Sequence, residues 1–463
     1  MGFAELTLET FRDPAGSLRI AGNRVLRTVH PGHATAALEF LQSELARSWV
    51  EQGRLIETRF LAGEEGELTL EHPRIFFPSY PWEWTPTAWI AAADLTLDLC
   101  DALLPRGLIL KDATPLNILF EGTQPVFVDV LSVEERDPAS PLWLAYGQFV
   151  RTFLLPLAAF AWLGWPLSAS IQKRDGYEPA DLAPYLRLVQ RWREPFRSLV
   201  TLPLMLEKSG GKTGAVGADA RQAPEAALAT LRRNLGNLRT HLRRIEQRLQ
   251  SKQHASRWSG YTRSADHYSA EDQRLKKRFV QDALAAAQPK HVLDLGANIG
   301  VYSRIAAEGG ADVVGWDTDL EATEKNWREA TQHKLRIMPL LANPARPTPS
   351  TGWRNIENLS LLDRARGRFD CVMMLGLIHH VLLSEQIPLP EIVSLLRELT
   401  ASWAIVEWVP ASDPRFVDLL RGRDALYGHL DEAMFVQATE RHFTVVLREV
   451  LPNGRVLFLL QAR

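Results

Sequence analysis

Four residues in one stretch have the types and spacing to hold a ligand. They are Asp294, Gly296, Gly300 and Asp317, within HVLDLGANIGVYSRIAAEGGADVVGWD, residues 291–317. The two glycines, with Ala297 and Asn298 between them, let the backbone turn sharply and come close to a bound molecule. Asp317 is a carboxylate able to accept both hydroxyls of a ribose. A phosphate cradle would need further glycines in the pattern G-x-G-x-x-G, so that a pyrophosphate can rest on a helix amino terminus. Asn298 and Val301 stand at those positions instead. Asp294, one residue ahead of the loop, would repel phosphate and attract an ammonium group. The ligand these residues suit has a ribose and an ammonium and no phosphate.

The elements around them must place both acids at strand ends. Val292 to Leu295 is a short apolar run, Val301 to Glu308 has helical spacing, and Val313 to Trp316 is a second apolar run. That is a βαβ unit, and open α/β sheets bind small molecules at the carboxyl ends of their strands. Thr318 and Glu321 have the spacing of a capping box, which would start the next helix and leave Asp317 free. Strands are expected at Leu335 to Leu341, Phe369 to Leu375 and Trp403 to Trp408, with helices at Gln386 to Thr400 and Asp431 to His442. Phe443 to Leu451 and Arg455 to Leu460, joined by Pro452-Asn453-Gly454, read as a hairpin. The pattern predicts an α/β sheet with one antiparallel strand.

Asp294-Leu-Gly296-Ala-Asn298-Ile-Gly300 resembles the first motif of class I S-adenosylmethionine (SAM)-dependent methyltransferases, and Asp317 resembles their ribose acid. The resemblance spans roughly 256–463 and implies a Rossmann-like, seven-stranded, mostly parallel sheet with a C-terminal antiparallel hairpin. It implies S-adenosyl-L-methionine as cofactor and methyl transfer as the reaction. Tyr268, with Tyr261 ahead of a helix from Ser269, suits a cofactor lid, because tyrosine offers flat apolar area and a polar tip. Asn343 either bonds adenine or caps the turn before Pro344.

His379 and His380 follow the fourth strand, where the acceptor meets the sulfonium methyl in this fold. Read as extended backbone, they point to opposite sides, which makes a poor metal pair. One could act as a general base while the other packs, or each could be a satisfied structural histidine. Glu407 is a second candidate base, or a group that positions a substrate donor. Methyl transfer is an in-line displacement, so alignment and water exclusion matter most. Arg346, Trp353 and Arg354, in a Pro-rich loop, are candidates for the wall facing a small-molecule or glycan-like acceptor. Ala342-Asn343-Pro344 and Gly352-Trp353, with an amino-terminal KDATPLN, resemble two-part methyltransferases related to rhizobial nodulation proteins.

At 463 residues the chain is too long for one core. The organisation expected is an α+β domain over 1–207, a flexible linker over 208–223, a heptad-patterned basic helix over 224–255, and the methyltransferase domain over 256–463. Leu18 to Val29 reads as a hairpin turning at Gly22-Asn23, and Thr35 to Gln52 as one amphipathic helix. The rings Phe76, Phe77, Tyr80, Trp82 and Trp84 between prolines suit packing or a ligand shelf. Leu108 to Val130 resembles a kinase catalytic loop: Asp112 and Asn117 have the interval of D-x-x-x-x-N, and Asp129 sits where a metal-binding Asp lies. A Gly-rich loop and an early-strand lysine are absent from the sequence, which points to a degenerate kinase-like domain; an active phosphotransferase holding magnesium on Asp112, Asn117 and Asp129 is the alternative. Gly210-Gly211-Lys212-Thr213 lacks the earlier glycine of a P-loop.

Leu228, Leu231, Leu235, Leu238, Leu242, Ile245 and Leu249 form an a/d seam. It could pack on its own chain, make a homodimer or, through its arginines, meet an acidic partner. A formal charge of -2 gives no pull toward nucleic acid. Two cysteines in apolar segments argue against disulfides or a thiolate metal site, and fit a reducing cytoplasm. No secretory signal is expected from the first residues. Thr152 to Ile171 is uncharged and long enough to cross a bilayer, but Pro156, Gly164 and Pro166 break it, so a buried helix pair is expected.

Overall fold

A computed structural model describes residues 10, 12–22, 24–30, 32, 34–62, 68–208, 221–253 and 268–463. Asn23, most of the expected linker (209–220, with its Gly-Gly-Lys-Thr run), Trp258 and Tyr261 lie outside the described residues. The chain divides into two compact units, Ala4–Ala255 and Ser256–Arg463.

In the first unit, β1 (Gly16–Ala21), β2 (Arg24–Val29), β3 (Arg59–Ala62) and β4 (Leu68–Pro73) make an antiparallel sheet in the order β1-β2-β4-β3. The single helix expected over Thr35 to Gln52 is two helices, Thr35–Leu41 and Glu44–Glu51. They part at Ser43, whose hydroxyl accepts the Ala46 N–H and restarts the helix as an N-cap. The helix Pro86–Leu103 is buried along most of its length. Trp82, Trp84 and Phe77 are also buried, and the Trp84 Nε1–H donates to Ser79 Oγ at 2.9 Å, so these rings are packing. Two short pairs follow: β5 (Leu108–Leu110) with β8 (Val133–Glu135), and β6 (Ile118–Glu121) with β7 (Gln124–Phe127).

The uncharged stretch forms one irregular helical run, Tyr146 to Leu163, with π-helical segments at Val150–Leu154 and Ala159–Leu163 on either side of Pro156. Proline removes a backbone donor, and the wider π turns accommodate the gap. Gly164, at φ +75°, ends the run. Among the described residues no helix is long and apolar enough to cross a membrane.

The helix Pro224–Gln253 packs within the first unit, the first of the readings its seam allowed. Leu231, Leu235, Leu238, Leu242, Ile245 and Leu249 are buried, and Arg239 Nη1 meets Asp98 of the Pro86–Leu103 helix at 2.8 Å. The seam is therefore covered by its own unit among the described residues, and the helix clusters with the first unit.

In the second unit, β9 (His291–Leu295), β10 (Asp312–Asp317), β11 (Ile337–Leu341), β12 (Phe369–Met374), β13 (Thr400–Trp408), β14 (Phe443–Val450) and β15 (Val456–Ala462) form one sheet. Its order is β11-β10-β9-β12-β13-β15-β14, parallel except that β15 runs antiparallel to both β13 and β14. This is the mostly parallel methyltransferase sheet with its antiparallel hairpin. Its core includes Val292, Val313, Ile337, Met373, Ile405, Leu457 and Leu459. The helix Ala270–Ala287 starts at Ser269, whose hydroxyl accepts the Asp272 N–H.

Two local expectations fail. The helix after β10 is Leu320–Gln332, and its N-cap is Asp319, not Thr318. His379 and His380 do not continue a strand: the chain turns at Gly376, φ +66°, into a short helix, Ile378–Leu383.

Candidate active site

The loop after β9 is fastened to the end of β10. Gly296 and Ala297 N–H groups both donate to the Trp316 carbonyl, at 2.9 and 3.1 Å. Asn298, at φ +50°, donates its N–H to Asp317 Oδ2 at 2.7 Å, and the Asp319 N–H reaches Asp317 Oδ1 at 2.8 Å. Asp317 is thus held by the backbone on both oxygens and is not free, as the sequence had suggested. Each carboxylate oxygen can accept more than one hydrogen bond, so the acid is oriented and still able to receive ribose hydroxyls. Gly300, at φ +79°, opens the helix Val301–Glu308; a Cβ there would stand 2.1 Å from Asn326 Oδ1.

Asp294, at the end of β9, is 2% exposed and accepts the Ser303 hydroxyl at 2.6 Å. Burial, with repulsion from Asp317, lifts its carboxyl to about 6 against the pull of Ser303. A buried acid poised this high is suited to an approaching cation. The residues therefore fit SAM: two acids suited to an ammonium and a ribose, beside a turn whose glycines at 296 and 300 carry no Cβ. Asn343 Oδ1 accepts the Ala345 N–H at 2.8 Å, which closes the turn ahead of Pro344.

A buried polar network lies at the ends of β12 and β13. Glu407, on β13, is 0% exposed. Its Oε1 accepts the Tyr268 hydroxyl and its Oε2 accepts Lys276 Nζ, each at 2.7 Å. Arg455 approaches Glu407 to 3.6 Å, donates to the Tyr268 oxygen, and pairs with Asp413 through Nε at 2.8 Å. Lys276 lies 4.8 Å from the ring centroids of both Tyr268 and Tyr302, a cation–π arrangement. Burial alone would raise the Glu407 carboxyl, but Lys276 and Arg455 hold it below the ordinary range. Burial and the Glu407 carboxylate push the Tyr268 phenol up. Gly376 faces this network: a Cβ on it would be 3.5 Å from Glu407 Oε2 and 3.8 Å from the Tyr268 hydroxyl.

His379 and His380 are neighbours on one short helix, with ring centroids 4.3 Å apart, and do not point to opposite sides. Burial, then the His380 ring, push His379 down to about 3, and burial also lowers His380. His379 Nδ1 is buried without a hydrogen-bond partner among the described residues. The segment after this helix is tied to the loop following β11 by Arg346 Nη2 and Glu385 Oε1, at 2.6 Å. That loop carries Trp353, 62% exposed.

In the first unit, Asp129 pairs with Arg27 of β2 at 3.1 Å, and Lys111 pairs with Asp13 at 3.1 Å. Asp112 Oδ1 accepts from Gln148 Nε2 at 3.2 Å, and Asn117 is buried with Nδ2 unpartnered among the described residues. Among the described residues no group of three or more His, Cys, Asp or Glu could hold a metal ion.

Lys276, Ser303, Asp413 and Arg455 were not anticipated from the sequence. Lys276 carried a readable signal, since it shares the buried stripe of its helix with Asp272, Phe279, Val280 and Ala283. Arg455 and Asp413 sit in loops, where sequence offers no comparable signal.

Residues 268–408 match the sequence family described as a methyltransferase domain. The chain is 29% identical, over 467 aligned residues, to the nodulation protein NoeA of Rhizobium meliloti (strain 1021), covering 96% of this chain and 94% of that protein. Among solved structures it is similar to magnesium protoporphyrin IX methyltransferase (ChlM) from Synechocystis PCC 6803 with bound SAH, at 16% identity, 44% of this chain, 94% of that chain and a TM-score of 0.32. It is also similar to WbdD, described as a bifunctional kinase-methyltransferase, at 21% identity, 42% of this chain, 40% of that chain and a TM-score of 0.30. Residues 268–408 are therefore a methyltransferase domain whose cofactor is SAM, and the chain is similar along nearly its whole length to a nodulation protein.

Proposed function

We propose that the second unit moves a methyl group to a small-molecule or glycan-like acceptor by in-line displacement, with alignment and not base catalysis as its main device. The observation that carries this reading is the closed pairing of Tyr268, Lys276, Glu407, Arg455 and Asp413. Every ionised group of that network already has an opposite charge, and His379 is too weak a base to take a proton near neutrality. SAM, when bound, supplies an electrophilic methyl on a sulfonium.

Asp317 and the Gly296–Gly300 turn would hold the ribose, and Asp294 the ammonium. The buried network and His379, as a neutral hydrogen-bonding group, would orient the acceptor and keep water out. Exposed Trp353, on a loop pinned to the histidine helix, supports a glycan-like acceptor, because an indole face can stack on a sugar ring. The acceptor's proton then leaves to solvent or to a weakly held base after bond formation.

The first unit reads as a kinase-like body retired from phosphotransfer. Its support is Arg27, which meets Asp129 where a magnesium ion would be required.

The test is to incubate the protein with methyl-labelled SAM and a cell extract and to identify the labelled product. Label in a small polar or glycan fraction is expected; label confined to protein or nucleic acid would refute the acceptor class. On that product, the wild-type rate should show no histidine inflection near ~6.5. An inflection there that disappears in His379→Ala would restore base catalysis.

A further inference from the structure

The first unit carries an apolar protrusion that the methyl-transfer reading does not use. Leu188 is 73% exposed and Trp192 54% exposed, and Tyr185, Val189, Leu202 and Met205 are exposed beside them. These side chains come from three short segments held together by polar backbone contacts. Thr201 Oγ1 donates to the Arg191 carbonyl at 2.5 Å, which brings Leu202 to Trp192, and Arg191 Nη2 donates to the Ala183 carbonyl at 2.7 Å. The apolar tips are therefore presented outward by a braced scaffold.

Cations border the protrusion. Arg187, Arg193 and Arg197 are exposed within it. Glu194 pairs with Arg197 at 2.8 Å and lies 3.9 Å from Arg244, and from the ring of His241, whose pKa burial lowers, on the basic helix Pro224–Gln253. Arg248 of the same helix lies 5.9 Å from the Trp162 ring centroid, and Trp162 packs edge-on against Phe196. Trp and Tyr favour the boundary between headgroups and acyl chains, and arginines beside them favour anionic headgroups. Apolar and aromatic side chains this exposed insert readily into a deformable lipid boundary.

We propose that this face docks the enzyme on an anionic membrane surface, with Leu188, Val189 and Trp192 entering the headgroup layer and Arg193, Arg197, Arg244 and Arg248 over it. The proposal is independent of the acceptor reading.

The test is co-sedimentation of the full chain with phosphatidylcholine vesicles, with and without phosphatidylglycerol. Binding to the anionic vesicles and not to the neutral ones is expected, with salt weakening it. Leu188→Ser/Trp192→Ser should reduce binding about tenfold, and Arg193→Glu and Arg248→Glu about fivefold for each cation removed. All four positions are exposed, so thermal melts should be unchanged and the loss can be assigned to the surface. Failure of the folded wild type to bind anionic vesicles would overturn the proposal. Binding that survives the apolar substitutions but is lost with the charge reversals would also overturn it, because it would be adsorption by charge alone with no insertion of the apolar tips.

Discussion

The proposed pairing of Asp294 with the SAM ammonium would tie cofactor affinity to pH in a way that can be calculated. In the free protein its carboxyl sits at about 6, raised from 3.8 by burial and by Asp317. An acid that receives an ammonium must be ionised in the complex, so binding below about pH 6 has to expel a proton. At about pH 7.5 nearly every molecule is ready, whereas at about pH 5 only about one in ten is ionised, so Kd should rise about tenfold, or about 1.4 kcal/mol. Calorimetry in buffers of different ionisation enthalpy would read both the affinity and the released proton. The sign for stability runs the other way. Because the folded pKa lies above the unfolded one, the free protein gains stability as pH falls from above 6 toward 3.8, and at neutral pH the buried anion is a burden. Asp294→Asn should therefore raise the melting temperature near neutrality, weaken SAM binding and flatten its pH dependence. A wild-type affinity that stays constant between about pH 5 and 7.5, or an Asn variant that binds SAM as the wild type does, would refute this account.

Gly300→Ala should lower stability by at least about 1–2 kcal/mol, since the residue is left-handed and its Cβ would enter the Asn326 amide, and SAM affinity should fall with it; an unchanged melt would reject the requirement. Lys276→Met should destabilise the second unit by about 3–5 kcal/mol at neutral pH, because Glu407 would be left as a buried anion short of a partner, and adding Glu407→Gln should recover much of the loss. Equal melts for the single and double variants would show that the pair is not coupled.

The proposed cofactor half of the site could be read as a unit because its residues are local. Asp294, Gly296, Gly300 and Asp317 lie within one βαβ unit, and their spacing carries their geometry. The acceptor half was legible only as a region. Glu407 was picked out as a strand-end acid, but its meaning depends on Lys276 and Arg455, which folding alone brings to it. The histidine pair was misread because an apolar run on both sides, VMMLGLIHHVLL, does not reveal where strand gives way to helix; the positive φ at Gly376 decides it. The Thr318 cap failed for a similar reason. Asp317 takes the Asp319 N–H, which carries the chain one residue further before the helix begins. In the heptad helix the seam was read correctly as apolar, and its partner, the Pro86–Leu103 helix, lies too far away in sequence to be paired with it by pattern.

The position of β15 between β13 and β14 has a consequence for synthesis on the ribosome. Arg455, one residue before that strand, meets Tyr268 from 187 positions away in sequence. A nascent chain that has emerged only as far as β13 already contains the whole glycine loop and both cofactor acids, yet its Glu407 has one cation fewer and β13 has an open edge. Closure of the buried Glu407 network and of the β13 edge is thereby coupled to the arrival of the last strand, so a prematurely released chain should be inactive and open to proteolysis, not a slower enzyme.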